Sequence, residues 1–274
     1  MLEVAYLGPE GTYSHLVAEK RFGPAARYVA MPTILDVCTH VARRPGRRGI
    51  IPIENSSGGA IHETVDILLA QKPRVVIEEE LSLEVRLALL GHRGEKIKNL
   101  YSHFAPLDHC ATWIRKNLPA VTRHVVTSTA AAAQQAHAEP GAAALGSRRL
   151  AALYDLDLLV FPVEADVPNL TAFLAIGALP HGNDRRFKTT LAAKLPNHPG
   201  ALCTFLETFR TESVNLSRII SRPIRGSPRE YAFMVDIDGA PRTPRLKRAL
   251  AAAKKTCVEL RQVGAYPLHK AYKS

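Results

Sequence analysis

The chain has 274 residues, of which 46% are hydrophobic and 22% are charged, and its formal net charge is +11. These totals exclude a disordered or fibrous protein and are sufficient for two or three compact units with a cleft between lobes. The basic residues are dispersed and aromatic residues are few. We therefore interpret the excess charge as a solvated basic surface or an attraction to small anionic substrates, and we predict no nucleic-acid partner.

The cysteines and the apolar runs predict the compartment. The cysteines lie far apart and form no C-x-x-C pair, which is typical of a reducing compartment. Glu3 and Pro9 interrupt the N-terminus and leave no space for the apolar core of a signal peptide. No apolar run approaches the ~18 residues of a membrane span. We therefore expect a cytoplasmic protein with no membrane partner.

From residue 3 onward, short apolar or β-branched runs alternate with segments of helical period, a pattern typical of an α/β unit with parallel strands. A helix is predicted over roughly 15–22, and helices fit between most of the strands. The predicted strands lie at 4–7, 28–31, 49–53, 75–81, 83–90, 100–102, 124–127, 143–145, 158–163 and 171–176. The segments 75–90 and 158–167 predict two crossings between lobes, and hence a hinged cleft at the carboxyl ends of the strands.

The remainder of the chain has a different pattern. The stretch PHGNDRR at 180–186 is polar and rich in structure-breaking residues, which indicates a linker. Beyond it, alternating and helical spacings give the order βαββαβ, which predicts a small ferredoxin-like sandwich. These elements lie at 191–195, 202–209, 216–220, 231–237, 246–253 and 258–263.

Polar clusters lie at the ends of four of the predicted strands, and the last of them leads into its strand. The stretch GIIPIENSSGG places Glu54, Asn55 and Ser56 at the carboxyl end of a buried strand, before a helix predicted over 60–69. Open α/β sheets bind ligands at such strand ends, and the first amides of a helix can hold an anion. Each cluster alone also fits a helix cap or a βα turn. Together they predict one polar, anion-accepting cleft, with clusters at 8–14, 54–57, 127–129 and 169–173.

Several well-known motifs are absent from the sequence. It contains no G-x-G-x-x-G, no G-x-x-x-x-G-K-[ST] and no G-x-S-x-G, so dinucleotide binding, P-loop chemistry and a hydrolase nucleophile elbow have no support. His103 and His109 lack the spacing of a zinc-binding helix pair. We interpret the 11 histidines as structural or solvated, and we predict no metal site.

These segments closely resemble the prephenate dehydratase family, in preserved order and over nearly the whole chain. The matching segments are VAYLGPEGTYSH at 4–15, IPIENSSGGAIHETVDILL at 51–69, YSH at 101–103, TSTAAAA at 127–133, ALGSRRLAALYDL at 144–156 and NLTAFLAIG at 169–177. The tail resembles the regulatory ACT domain of that family, with PGALCTFLETF at 199–209, ISRP at 220–223 and EYAFMVDIDG at 230–239.

The resemblance implies a fold and its domain limits. A two-lobed, periplasmic-binding-protein-like (type II) catalytic domain with a hinge cleft is expected over 1–180, and a ferredoxin-like ACT domain over 187–266. Lobe 1 is expected at about 1–80 and 160–180, and lobe 2 at about 81–159. ACT domains of this kind pair across a dimer, which implies a homodimer or a homotetramer.

The resemblance also implies a reaction. Prephenate loses its ring carboxylate as CO2 and its ring hydroxyl as water, giving phenylpyruvate for phenylalanine synthesis. The leaving hydroxyl requires a proton or hydrogen-bond donor, and the two substrate carboxylates require fixed N–H and O–H donors. Because aromatisation drives the elimination, no metal or organic cofactor is expected.

The family's motifs imply roles for individual residues of this chain. Thr171 is expected to assist departure of the hydroxyl, and Glu54 and Asn55 are expected to bind or polarise the substrate as catalytic residues. The residues expected to bind substrate are Thr12, Ser14, Ser56, Ser128, Thr129 and Phe173.

The sequence departs from the family's pattern at informative positions. The family's Thr-Arg-Phe motif reads Thr171-Ala172-Phe173 here, so a guanidinium expected at the site is missing. Either another base such as Arg148 or Arg149 compensates, or activity is reduced or redirected. Ser57 and Gly58 also replace a threonine and a glutamate that are common in the family.

In the tail, the resemblance implies a phenylalanine effector site that is coupled to the cleft by thermodynamic linkage. Ile220 replaces the glutamate of the family's Glu-Ser-Arg-Pro signature, so one polar contact is lost. The residues expected to bind the effector are Gly200, Ala201, Leu202, Asn215, Leu216, Ser221 and Arg222.

Three functional hypotheses remain open from the sequence. An active prephenate dehydratase is favoured by the retained Thr171. A relative that decarboxylates prephenate in secondary metabolism without full dehydration is favoured by Ala172 and opposed by Thr171. A catalytically weak, amino-acid-binding regulator would keep only the bilobal fold and the sensor.

Overall fold

The computed structural model describes residues 1–56, 58–70, 72–177, 187–224, 226–268 and 271–274. In the first part of the chain the elements are β1 (Glu3–Leu7), α1 (Tyr13–Phe22), β2 (Arg27–Met31), α2 (Ile34–Ala42), β3 (Arg48–Asn55), β4 (Gly59–Ala60), α3 (His62–Ala70), β5 (Val76–Glu84), β6 (Leu87–Gly91), β7 (Asn99–Ser102), α4 (Phe104–His109), α5 (Ala111–Asn117), β8 (Thr122–Val125), α6 (Thr129–Ala138), β9 (Ala142–Gly146), α7 (Leu150–Leu153), β10 (Asp157–Val163) and β11 (Leu170–Gly177). The C-terminal part contains β12 (Phe187–Lys194), α8 (Ala201–Thr211), β13 (Leu216–Pro223), β14 (Tyr231–Asp238), α9 (Pro244–Thr256), β15 (Glu259–Pro267) and β16 (Tyr272–Lys273).

The predicted strands are confirmed, with shifted boundaries. The helix predicted over 60–69 begins two residues later, because Gly59 and Ala60 form β4 and pair with Asn55 and Glu54 of β3. The strands predicted at 75–81 and 83–90 correspond to β5 and β6. The break between them, predicted at 82, lies at 85–86 in the structure. Ser57 and the predicted linker at 180–186 lie outside the described residues.

The described strands of the first part form two sheets, one for each predicted lobe. The first-lobe sheet has the order β5-β11-β3-β1-β2, with β1 parallel to both neighbours and β11 antiparallel to both of its own. The second-lobe sheet has the order β10-β6-β9-β7-β8. The chain crosses between the sheets at 85–86 and again at 164–169, and the lobe limits near 81 and 160 stay predictions.

Each face of the first-lobe sheet has its own apolar core. Ile50 and Phe173 pack with α1 on one face, which we call the cleft face. Ile51 and Leu174 pack with α2, α3 and the C-terminal domain on the other, which we call the junction face. No helix among the described residues is both long and apolar enough to cross a membrane.

The C-terminal domain has the ferredoxin-like strand order β15-β12-β14-β13, with Phe205, Phe209 and Leu246 of its two helices in the core. This sheet joins the first-lobe sheet where Gly264 of β15 pairs with Ile77 of β5. A Cβ at position 264 would lie 2.6 Å from the carbonyl oxygen of Ile77, so only glycine permits the two backbones to approach this closely. The two domains therefore share one continuous sheet.

Candidate active site

A cavity of about 380 Å³ lies between the two lobes. Both lobes and the crossing segments contribute to its walls, and members of all four predicted polar clusters meet there. The sequence-predicted residues that line it are Thr12, Ser14, Asn55, Ser128, Thr129, Thr171 and Phe173.

A β-bulge decides which side chains of β3 face this cleft. The register between β3 and β11 leaves Ile53 without an opposite residue, and it resumes with Glu54 opposite Ala172 and Asn55 opposite Thr171. One extra residue reverses the alternation of a strand. Ile53 and Glu54 therefore both lie on the junction face, whereas Asn55 and Thr171 lie on the cleft face.

Asn55 orients the hydroxyl of Thr171. The backbone N–H of Gly58 donates to Asn55 Oδ1 over 3.1 Å, and because a backbone N–H can only donate, this contact fixes which way the amide points. Asn55 Nδ2 then donates to Thr171 Oγ1 and to Asn169 Oδ1, both over 2.9 Å. The Thr171 oxygen thus acts as an acceptor for Asn55, which leaves its own hydrogen to be donated into the cleft.

The second lobe presents the start of a helix to the same cavity. Ser128 caps α6, and its Oγ accepts a hydrogen bond from the N–H of Ala131 over 3.0 Å. Thr129, in the first turn, is only 9% exposed. Helix N-terminal amides carry a partial positive charge that favours an anion. This wall of the cleft is therefore suited to a carboxylate.

The loop after β1 closes the first-lobe side. Thr12 caps α1, donating its hydroxyl hydrogen to the Leu7 carbonyl over 2.9 Å and accepting from the N–H of His15. Ser14 lines the cavity and is 5% exposed. Because the hydroxyl hydrogen of Thr12 is committed to the backbone, Thr12 shapes the wall rather than donating to a ligand.

Two predicted site residues lie outside the set of described residues that line the cleft. Glu54 Oε2 accepts a hydrogen bond from Nε of Arg218, in the C-terminal domain, over 2.8 Å, and forms an ion pair with Nη2 of the same guanidinium. Ser56 Oγ donates to the Pro168 carbonyl over 2.9 Å and accepts from the N–H of Leu170, so it ties the end of β3 to the start of β11. The catalytic role of Glu54 and the binding role of Ser56 stay predictions.

The missing guanidinium at position 172 has a structural explanation. Ala172 packs against the junction-face core, so a longer side chain there would point away from the cleft. Arg148 lies over an aromatic ring and Arg149 pairs with a carboxylate of α1, and neither is among the described residues lining the cleft. The base that contacts Glu54 is instead Arg218, which the sequence analysis did not identify.

Sequence reasoning also missed a histidine in the cleft. His109, at the end of α4, is 2% exposed, and neither ring nitrogen has a hydrogen-bond partner among the described residues. Burial lowers the pKa of its imidazole, against the opposing effect of Asp108, so the ring is neutral near pH 7 with one donor and one acceptor nitrogen. Its position shortly after the YSH segment was the only signal in the sequence. A buried group with both nitrogens unused is suited to a ligand.

His103 also lines the cleft and caps α4, with Nδ1 accepting from the N–H of Ala105 over 3.5 Å. Burial lowers the pKa of this imidazole as well. Among the described residues, no group of three or more histidine, cysteine, aspartate or glutamate side chains is arranged to hold a metal ion. That no cofactor is needed stays a prediction.

The predicted effector residues fall into two groups at opposite ends of the C-terminal sheet. Ala232 of β14 lies opposite Arg222 of β13 on one side and opposite Lys194 of β12 on the other. Lys194 is at the end of β12, just before the turn that starts α8. Asn215 stands at the other end, where its Nδ2 donates to Asp238 Oδ2 over 2.7 Å. Within one described chain the two groups are thus apart, one comprising Gly200, Ala201, Leu202, Ser221 and Arg222 and the other comprising Asn215 and Leu216.

One of these residues also contacts the first domain. Arg222 donates to both oxygens of Asp66 in α3, over 2.6 and 2.9 Å. Ile220, which replaces the family's glutamate, packs against the junction-face core. The end of β13 therefore bridges the two domains by a bidentate ion pair and an apolar contact.

Comparisons with known proteins agree with this architecture. The family profile described as prephenate dehydratase matches residues 4–180, and the ACT domain profile matches residues 189–254. A bifunctional chorismate mutase/prephenate dehydratase of Pseudomonas aeruginosa is 36% identical over 97% of this chain and 73% of its own length. The prephenate dehydratase of Lactococcus lactis is 30% identical over 98% of both chains.

Among solved structures, the prephenate dehydratase of Arthrobacter aurescens in complex with L-Phe superposes with a TM-score of 0.86. It is 28% identical in sequence, and the match covers 96% of this chain and 89% of that chain. The first profile spans well over half of the sequence, and the two curated relatives are at least 30% identical over 97% or more of this chain. The chain therefore belongs to the prephenate dehydratase family and carries the family's C-terminal ACT domain.

Proposed function

We propose that this protein converts prephenate to phenylpyruvate, CO2 and water in phenylalanine biosynthesis, and that the cleft between the lobes is its active site. The bond between the ring and its carboxylate breaks, its electrons enter the ring, and the hydroxyl on the opposite ring carbon departs. The leaving oxygen must take up a proton to depart as water. A donor at that oxygen is the main requirement on the protein.

The observation that carries the proposal is the hydrogen bond from Asn55 Nδ2 to Thr171 Oγ1. It occupies a lone pair of the Thr171 oxygen, so the hydroxyl hydrogen is free to be donated to the leaving group. The partners Gly58 and Asn169 hold Asn55 on its other sides, so the orientation of its amide is fixed by contacts within the protein. Preorganised donors are most effective at a site where charge develops in the transition state.

The remaining donors fit the two carboxylates of prephenate. The hydroxyl of Ser128 accepts from Ala131 and can donate its own hydrogen, and the first amides of α6 lie beside it. Thr129 and Ser14 add further hydroxyls to the wall, and Phe173 adds an apolar surface for the ring. His109 supplies an N–H to a substrate oxygen, which would satisfy its buried nitrogen.

We also propose that phenylalanine is an effector and that the chain works as a homodimer or homotetramer. The two groups of predicted effector residues lie at opposite ends of one C-terminal sheet, and pairing two copies side by side would bring them together. Arg222 connects one group to α3 of the first domain, which gives effector binding a contact with the catalytic domain. The domain limits 1–180 and 187–266 belong to this proposal.

The proposed compartment is the cytoplasm. The four cysteines are free thiols, and Cys38 and Cys110 are buried. Burial raises the pKa of both thiols to about 12, so neither is a reactive thiolate near neutral pH. Free thiols are typical of a reducing compartment.

The test is incubation of the purified protein with prephenate at neutral pH, with phenylpyruvate measured as its enolate in base. Acid is avoided, because it aromatises prephenate spontaneously. Thr171→Ala is the diagnostic variant, and Thr122→Ala, at an exposed threonine of β8, is the matched control. We expect wild type and Thr122→Ala to form phenylpyruvate, and Thr171→Ala to be at least about 100-fold slower.

Other outcomes would contradict the proposal in different ways. Consumption of prephenate without phenylpyruvate would favour the decarboxylase. Binding of phenylalanine without any turnover of prephenate would favour the regulator. Full activity in Thr171→Ala would support the proposed reaction but would show that Thr171 is not the donor to the leaving oxygen.

A further inference from the structure

We propose that Arg218, in β13 of the C-terminal domain, is a positioning residue for the cleft. It holds Glu54 at the bulge of β3 and so fixes the strand end that carries Asn55 and orients Thr171. This inference rests on the proposed function, because it assigns how the same site is kept in place.

The contacts of Arg218 reach both domains at once. Its Nε donates to Glu54 Oε2 over 2.8 Å, and its Nη2 forms an ion pair with the same oxygen. Its Nη1 donates to Asp236 and, over 3.3 Å, to Glu80. The Arg218 side chain is 11% exposed, and that of Asp236 is fully buried. A planar guanidinium held on one side by a buried carboxylate has little freedom on the other side. Its position is therefore set by the C-terminal sheet and imposed on Glu54.

The charges around Arg218 make it difficult to replace. Glu54, Glu80 and Asp236 supply three negative charges, and Lys188 supplies the other positive charge, through Glu80 and Asp236. Burial acts to lower the pKa of Arg218, but the three carboxylates outweigh it, so the guanidinium stays charged. Without Arg218, the cluster would keep three negative charges and, as the positive charge, the ammonium of Lys188. Glu54 has the most exposed side chain of the three carboxylates, at 42%, and would turn toward water.

A displacement of Glu54 would reach the cleft directly. Glu54 and Asn55 are consecutive residues at the end of β3, and both pair with the short strand β4. Asn55 is the donor to the Thr171 hydroxyl, 2.9 Å away. Misplacement of a catalytic donor by about 1 Å can reduce a rate by about 100-fold. The guanidinium therefore acts on the reaction through the backbone rather than by touching substrate.

The residue opposite Glu54 explains why the cation comes from another domain. Ala172 is its partner across the β3–β11 pair, and directly opposite residues project from the same face of a sheet. A methyl group cannot neutralise the carboxylate, so the first domain does not supply the charge at that position. An arginine at 172 would project beside Glu54 and could substitute for Arg218. This geometry provides a rescue experiment.

The experiment compares wild type, Arg218→Ala and the double variant Arg218→Ala/Ala172→Arg. With prephenate as substrate, we expect kcat of Arg218→Ala to fall by about tenfold to 100-fold while KM changes little, because Arg218 does not line the cleft. The double variant is expected to recover most of that loss. Hydrogen exchange of the segment 50–61, measured by mass spectrometry, should be faster in Arg218→Ala and restored in the double variant.

Arg261→Met is the matched control. Arg261 also crosses between the domains, from β15 to the Leu68 carbonyl of α3 over 2.8 Å, but it does not contact the end of β3. We expect its kcat and the exchange of 50–61 to match wild type. A general loosening of the domain contact would instead affect both arginine variants equally, and would overturn the assignment.

Two further results would also overturn it. One is unchanged kcat and unchanged exchange in Arg218→Ala; the other is no recovery on adding Ala172→Arg to a variant that remains folded. Failure of the proposed function is a separate result, because it appears as a wild-type protein that does not form phenylpyruvate. In that case the exchange measurement alone decides whether Arg218 positions the strand end.

Discussion

The two faces of the first-lobe sheet differ in the kind of polar group that they carry. On the cleft face, Asn55, Asn169 and Thr171 form a neutral hydrogen-bonded set that opens into a cavity. On the junction face, Glu54 is the partly exposed member of a charged cluster whose other members, Arg218, Glu80 and Asp236, are largely buried between two domains. Adjacent residues of β3 therefore have different contacts: Asn55 orients the Thr171 hydroxyl in the cleft, and Glu54 connects the first domain to the C-terminal domain.

The difference between the faces predicts which property each substitution changes. Neutral hydrogen-bonded groups in an open cleft contribute mainly to turnover. Charges buried between domains contribute mainly to folding, because an unpaired buried charge costs several kcal/mol. Substitutions on each face therefore test whether the two faces differ in this way.

The largest effect is expected on the junction face, in Asp236→Asn. Asp236 is fully buried, pairs with Arg218 and accepts a hydrogen bond from Thr190 over 2.6 Å. Removing its charge leaves the buried guanidinium with a weaker partner, and we expect the free energy of unfolding to fall by about 3 kcal/mol. Urea unfolding measures this, with Glu212→Gln at the exposed pair with Arg248 as a control that should change little. Equal loss in both variants would contradict the assignment of a buried cluster.

The next largest effect is expected on the cleft face, in Asn55→Ala. Without the amide, the Thr171 hydroxyl is free to rotate, and we expect kcat for prephenate to fall by about 100-fold with unfolding free energy nearly unchanged. Asn117→Ala is the matched control, since its exposed amide donates to Trp113 within α5. A variant that loses stability but keeps its kcat would show that Asn55 is structural.

A smaller effect is expected where the two sheets join, in Gly264→Ala. The new Cβ would lie 2.6 Å from the Ile77 carbonyl oxygen and 2.7 Å from its Cβ, so the strands must separate. We expect the free energy of unfolding to fall by about 2 kcal/mol, and any response to phenylalanine to weaken. Thermal unfolding with and without phenylalanine measures both. An unchanged melting temperature would mean that the junction is more adaptable than the close contact indicates.

The smallest effect is expected for the pH dependence at His109. Burial lowers the pKa of this imidazole in the folded state, so as pH falls below about 6.5 the unfolded chain takes up the proton first. Stability contributed by the neutral ring is therefore lost on acidification. His109→Gln cannot titrate, and its unfolding free energy should decline less than that of wild type between pH 7 and pH 5.5. Parallel declines would contradict a buried neutral His109.

Periodicity was sufficient to predict most of the elements, the α/β alternation of the first part and the βαββαβ order of the C-terminal part, whereas the two-lobed fold class was implied by the family resemblance. The alternation of Leu191, Ala193 and Leu195 and the helical spacing of Phe205 and Phe209 depend on which residues are apolar, and the structure buries all five. Strand ends could be predicted too, because the residue types change sharply there. The gathering of Thr171, Asn55 and Ser128 in one cleft followed from placing those strand ends together.

The face of the sheet on which the Glu54 side chain lies could not be predicted in this way. Strict alternation from Ile53 would put Glu54 on the cleft face and Asn55 on the junction face, and only the bulge at Ile53 reverses this. A bulge depends on how two strands pair, which is information that neither strand carries alone. Arg218 was missed for a related reason: its partners Glu54 and Asp236 are distant in sequence, and β13 alone resembles an exposed edge strand.

Glu54 lies on the junction face, whereas Thr171, the proposed donor to the leaving hydroxyl, lies in the cleft. The most direct test is kcat of Glu54→Gln with prephenate, measured beside Thr171→Ala and Arg218→Ala. If Glu54 acts only through its pair with Arg218, Glu54→Gln will match Arg218→Ala, combining the two will reduce kcat no further, and Thr171→Ala will be far slower. If Glu54→Gln is as inactive as Thr171→Ala while Arg218→Ala retains activity, Glu54 acts in the cleft and the division between the two faces is wrong.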